Sequence, residues 1–167
     1  MAATDERLAF IADAMLGRLA KSLRLLGYDT AYSPDIEDSE LKLRAMRDGR
    51  ALLTRDHELK ETSLPVRVLL VESDHLEEQL VQVVDEFGLR PGPALFTRCL
   101  ICNVRVEDVQ PDAVRDRVPP YVFRTQSRFA RCPSCGRVYW AATHVERARE
   151  WLDRVLGSSR DDEGDAT

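Results

Sequence analysis

The chain has 167 residues, enough to bury a real core as one domain or as a main domain with a small appendage. Its net charge of −5, from 24 basic and 29 acidic side chains, argues against wholesale coating of nucleic acid and leaves room only for local basic faces. No apolar run approaches the roughly 18 residues of a membrane span, and the start MAATDERLAF carries two acids and no basic leader, so a cytoplasmic protein without a membrane partner is expected.

The first apolar run, Leu8 to Ala12, reads as a buried strand that ends on Asp13. The helix after it carries Leu16, Leu19, Ala20, Leu23 and Leu26 on one face and Arg18, Lys21 and Arg24 on the other, with Gly27 as its stop. Gly17 lies inside that helix at a cost of about 1 kcal/mol against Ala, which predicts that something packs close to the backbone there. A short strand near Thr30 to Tyr32 leads into the acidic turn SPDIEDSE. The next helix opens at Asp38 or Ser39 and runs to Asp48, with Gly49 as its stop. Strands are then predicted at Ala51–Thr54 and Val66–Val71, and a helix from Asp74 to Phe87 closed by Gly88. Strand alternating with helix predicts a parallel sheet with helical crossovers, an α/β fold. The segment RPGP at 90–93 is the natural boundary.

Beyond it lie two Cys-x-x-Cys elements, Cys99/Cys102 and Cys132/Cys135, separated by 29 residues without helical period. The strand-like RVYW follows at 137–140, and His144 to Leu156 can form a last helix. Residues 158–167 hold no apolar side chain larger than alanine and read as a disordered tail.

Three apolar runs, LAFIAD, ALLTRD and RVLLVESD, end on Asp13, Asp56 and Asp74. If they are parallel strands, their carboxylates gather at the sheet edge where open α/β sheets bind ligands. Hydrolysis of phosphodiesters by Mg²⁺ or Mn²⁺ needs such a cluster of oxygen ligands. The acidic turn offers a third acid, best Asp38 because it opens a helix, with Asp35 and Glu37 beside it. Glu58 and Asp74 are candidate additional acids, although Asp38 and Asp74 also read as helix caps. In TRDHEL, Thr54 reads as a partner for a carboxylate or the substrate, Arg55 as a phosphate contact, and His57 as an exposed neighbour or a base.

The cysteine spacing is that of a structural Zn²⁺ site with four thiolates, rather than of a redox dithiol at the start of a helix. His144 reads as a residue of the small core around the cysteines or an RNA contact. Arginines interleave with aromatics here, Arg128 and Arg131 among Tyr121, Phe123, Phe129, Tyr139 and Trp140. That pattern suits single-stranded RNA, while the alternative is that the aromatics form the ribbon's core.

The stretches FIADAMLGRLAKSLRLLGYDT, EDSELKLRAMRDGRALLTRDHEL, LFTRCLICN and FARCPSCGRVYWAATH together resemble the Mut-seven carboxy-terminal RNase domain family, PIN-like nucleases with a fused zinc ribbon. The resemblance covers about residues 8–155. It implies a PIN-like three-layer α/β/α domain over 1–90, a zinc ribbon with a C-terminal helix over 94–157 and activity on RNA. The family's acids match Asp13, Asp38 and Asp56, and its ribbon ligands match Cys99, Cys102, Cys132 and Cys135. Arg18 and Arg55, with Arg128 and Arg131, are then the expected RNA contacts. The expected function is a metal-dependent ribonuclease; the alternative is a non-catalytic RNA-binding adaptor on the same scaffold.

Overall fold

The computed structural model describes residues 8–90, 95–141 and 143–161, so the seven N-terminal residues, residues 91–93 of the RPGP boundary and the last six residues of the expected tail lie outside it. The chain divides into two compact units between Asn103 and Val104. The first Cys-x-x-Cys element therefore groups with the strands and helices that precede it.

In the first unit, β1 (Ala9–Ala12), β2 (Asp29–Tyr32), β3 (Ala51–Thr54) and β4 (Val68–Leu70) form a parallel sheet in the order β2-β1-β3-β4. The central strands are buried on both faces, as their unbroken apolar runs require. One face carries Ile11 and Leu52 and is covered by Leu41 and Ala45 of α2 (Asp38–Asp48) and Leu59 of α3 (His57–Glu61). On the other, the ring of Phe10 meets Phe87 edge-on at 5.0 Å and Tyr28 at 6.1 Å. Phe87 closes α4 (Leu76–Phe87), which packs against α1 (Gly17–Leu25). The left-handed Gly49 and Gly88 end α2 and α4, a conformation glycine adopts without strain. Among the described residues no helix is long and apolar enough to cross a membrane.

The predicted stripe of α1 and its preceding 3₁₀ turn (Ala14–Leu16) is buried throughout, at Leu16, Leu19, Ala20, Leu23 and Leu26. Gly17 meets the expected close neighbour: a methyl group there would lie 2.6 Å from the hydroxyl of Tyr32, which donates to Ala14 O at 3.0 Å. Arg24 departs from the sequence reading, being 5 % exposed rather than on the solvent side. It follows Ala20 by one turn and so shares its buried face, and its guanidinium is satisfied by backbone carbonyls.

The second unit contains an antiparallel sheet of β5 (Glu107–Val109), β6 (Phe129–Arg131) and β7 (Val138–Trp140). Val114, Val118 and Phe129 form its core, with Phe123 and Trp140 packed against them. These aromatics serve packing, whereas Tyr121 is 69 % exposed. Between the cysteine pairs, where no helical period is visible, stand a 3₁₀ helix (Pro111–Arg117) and α5 (Pro120–Thr125). Proline opens both, a position where its missing N–H is harmless, and segments of seven and six residues are too short to display a period. The final helix α6 runs Thr143–Asp161, into the stretch expected to be disordered from residue 158.

At the N-terminal ends of β1 and β2, Arg50 Nη1 donates to Asp29 Oδ1 at 2.6 Å and to Phe10 O at 3.1 Å. Burial pushes the Asp29 carboxyl up, but hydrogen bonds from Arg50 and Asn103, with the charges of Arg50 and Arg98, hold it below its ordinary 3.8. A carboxyl depressed in the folded state adds stability above its unfolded value, and that stability is lost as pH falls through the folded one. Asp29→Asn should therefore lower the urea midpoint at pH 7, and the two proteins should converge as pH drops below 3.8. Urea titrations of both proteins across that range check this.

Candidate active site

The chain leaves β1 for the edge strand β2 and then returns across β1 to β3, so the strand order reverses between β1 and β3. At such a switch point the loops leave the C-terminal strand ends in opposite directions and open a crevice. Asp13 follows β1 and Asp56 follows β3, which places both at this crevice.

Asp13 is 6 % exposed, and its carboxylate accepts three hydrogen bonds. Oδ1 takes the N–H of Met15 at 2.8 Å, starting the 3₁₀ turn, while Oδ2 takes the Thr54 hydroxyl at 2.8 Å and the Arg55 N–H at 2.7 Å. The Thr54 oxygen in turn accepts from Asp56 N–H at 3.0 Å. Asp56 Oδ1 caps α3 through the N–H of Glu58 at 2.8 Å. Asp13, Thr54 and Asp56 thus form one hydrogen-bonded chain across two strand ends, the carboxylate-binding role expected of Thr54. Asp13 combines capping with contacts to the neighbouring strand.

The other acids stand apart. Asp38 is the first residue of α2, exposed, behind an N-cap taken by Glu37, and makes no cap bond. The side chain of Glu58 is exposed in the first turn of α3, beside exposed His57. β4 ends at Leu70, so Asp74 lies four residues beyond the strand rather than at its end. It is exposed, 3.5 Å from His75 Nε2, and the N-cap of α4 is His75. Arg55 is half-buried beside Asp13, and Arg18 is exposed on α1. In the second unit Arg128 is exposed, 4.0 Å from Asp108, and Arg131 is half-buried in β6. His144 falls in α6, and its side chain lies outside the described residues.

The sulfurs of Cys99, Cys102, Cys132 and Cys135 all lie within 4.8 Å of one another. Zinc–sulfur bonds of about 2.3 Å put thiolates about 3.8 Å apart in a tetrahedron, so this donor set fits zinc. The two cysteine turns are built alike. In each, the second cysteine's N–H donates to the first sulfur at 3.4 Å, and the next residue bonds the first cysteine's carbonyl at 2.9 Å. That residue is Asn103 in one turn and Gly136 in the other, with φ of 65° and 74°. Asparagine and glycine are the residues that tolerate this left-handed conformation best. Among the described residues the quartet is the one group of three or more His, Cys, Asp or Glu close enough to share an ion. Asp13, Asp38, Asp56, Glu58 and Asp74 do not form a second.

The family model of the Mut7-C RNAse domain matches residues 8–152. The chain belongs to that family. No curated protein and no solved structure matches it. For a Mut7-C RNAse domain, the match spans both the acid-bearing strand ends and the cysteine quartet.

Two residues around the Mut7-C cysteine site escaped sequence reasoning. Arg24 donates to Leu100 O at 2.7 Å and Ile101 O at 3.2 Å inside the first cysteine turn, and Asn103 reaches back to β2. An asparagine directly after Cys-x-x-Cys, where the turn needs φ above zero, is the signal that could have found the latter.

Thr54→Val keeps the shape of the side chain but leaves the Asp56 N–H unpaired and removes one donor from the buried Asp13 carboxylate. A loss of about 1–3 kcal/mol in urea unfolding is expected, and Thr54→Ser, which keeps the hydroxyl, should recover most of it.

Proposed function

We propose that this chain is a metal-dependent ribonuclease on a PIN-like scaffold, in which Asp13, Asp38 and Asp56 hold Mg²⁺ or Mn²⁺ and Glu58 and Asp74 are the further acids. The observation that carries the proposal is the hydrogen-bonded chain Asp13–Thr54–Asp56 at the switch point of a parallel sheet, in a member of an RNAse domain family. The donor chemistry suits a hard cation, since carboxylate oxygens are its preferred ligands. Asp13 Oδ1 accepts one hydrogen bond and keeps a second lone pair, and Asp56 uses only Oδ1 for its cap. When bound, the metal supplies an activated water and charge neutralisation at the leaving oxygen.

The chain's own residues do the positioning. Thr54 sets the two carboxylates against each other, and the Arg55 side chain, leaving the same strand end, meets a phosphate oxygen. Arg18, Arg128 and Arg131 neutralise further phosphates, and exposed Tyr121 offers a face for an unpaired base, which favours single-stranded RNA. The cysteine quartet holds one structural Zn²⁺, a site suited to the reducing cytoplasm.

A second reading, a non-catalytic RNA-binding adaptor, is favoured by two observations: three internal donors already occupy the Asp13 carboxylate, and the acids do not group at ligand distance among the described residues. Incubation of the full chain with labelled single-stranded RNA, with Mn²⁺ or with EDTA, separates the two. Wild type should cleave only with Mn²⁺. Asp56→Asn keeps the α3 cap, because asparagine caps as well as aspartate, so it should melt near wild type and lose cleavage. Binding without Mn²⁺-dependent cleavage by wild type would favour the adaptor.

Elemental analysis of the reduced protein should find one zinc per chain. A zinc content near zero in folded protein would exclude the zinc reading.

A further inference from the structure

β2 is the edge strand of the parallel sheet, with β1 on one side only. An exposed edge leaves peptide groups open to solvent or to a foreign strand. At the middle of β2 the peptide groups of Thr30 are closed by two side chains. Its N–H donates to Asn103 Oδ1 at 2.9 Å, and its C=O accepts from Arg24 Nε at 2.9 Å. Thr30 is fully buried. Asn103 and Arg24 therefore do at this residue what a further strand would do.

Both side chains are set by the first cysteine turn. Arg24 Nη1 donates to the carbonyls of Leu100 and Ile101, between Cys99 and Cys102. Asn103 closes that turn with its N–H on Cys99 O, and its Nδ2 donates to Asp29 Oδ1 at 2.6 Å. The amide orientation is settled by its partners, since a flip would set N–H against N–H and oxygen against carboxylate. Arg98 adds a third strut, donating to Gly27 O at 2.9 Å and Asn103 O at 2.8 Å.

We infer that the metal-binding turn Cys99–Asn103 is the edge cap of the nuclease sheet, so that metal on the cysteines orders β2 and, through it, the β1 strand that carries Asp13. The inference rests on the zinc reading of the quartet. A turn whose two cysteines are pinned by an ion holds Asn103 and the two carbonyls in place. Without the ion, the turn relaxes and the buried Thr30 peptide loses its partners.

Hydrogen exchange on the full chain tests this. Asn103→Gly is the clean variant, because glycine accepts the φ of 65° and only the side chain is lost. In the zinc-loaded variant, exchange at Thr30 should rise about tenfold, the loss of about one hydrogen bond, while the Leu52 and Leu53 amides in the centre of the sheet hold their rates. Wild type stripped of zinc by a chelator should show the same local rise at β2. Unchanged exchange at Thr30 in the variant, or in the stripped protein, overturns the inference. Should full stripping unfold the chain, Cys102→Ser, which loosens the metal's hold on this turn, takes its place, and unchanged exchange at Thr30 there overturns the inference. Failure is separable from failure of the zinc reading itself: protein that never carries zinc removes both, and protein that binds zinc while β2 stays indifferent removes only this one.

Discussion

The buried carboxylate of Asp13 is the constraint on which the first unit turns. A charge that is 6 % exposed would cost several kcal/mol without partners, and here three donors from two chain segments converge on it. One belongs to the turn that starts the helix after β1, and two belong to the end of β3. Because Asp13 N also donates to Leu53 O at 3.0 Å, the two strand ends are joined in both directions. The bonds that keep the charge buried are the same bonds that define the crevice, so stability and site geometry cannot be varied separately at this residue.

From there the rest of β1's surroundings follow. At its far end Arg50 ties Phe10 O to Asp29 of β2, and along the outer side of β2 Arg24 and Asn103 close the edge. Tyr32, at the end of β2, reaches back to Ala14 O, which is possible only because Gly17 leaves room for its ring. The strand carrying Asp13 is thus held at both ends and through its neighbour, with polar contacts placed where the apolar core stops.

Much of this was legible in the residues and some was not, for physical reasons. The parallel strands, the buried stripe of α1, the close approach at Gly17 and the two strand-end acids follow from periodicity and from what a single glycine costs inside a helix. These are local signals. The burial of Arg24 is not legible locally, because a basic residue beside an apolar stripe normally points to water, and besides Thr30 O its partners are carbonyls more than seventy residues away. Asp74 ends an apolar run in sequence, but pairing stops β4 four residues earlier. The short helices between the cysteine pairs begin on prolines that, read alone, suggest loop. Edge capping by Asn103 depends on a contact across 73 positions, which no window along the chain contains.

The three proposed acids differ in how tightly the fold holds them, and the order of that restraint is itself informative. Asp13 is fixed through both oxygens and Asp56 through one. Asp38 makes no cap bond and sits exposed at the start of α2, where the helix dipole favours a carboxylate without dictating its rotamer. On the proposal that these three acids hold a divalent cation, a pair pre-set by hydrogen bonds would be joined by a third, unrestrained acid drawn in by the cation's own charge. Ordering one exposed aspartate side chain costs little against the repulsion that three carboxylates held together would impose on the metal-free fold. On that proposal, leaving Asp38 loose avoids a destabilising cluster of charge in the metal-free fold, while Asp13 and Asp56 are held at the strand ends by their hydrogen bonds.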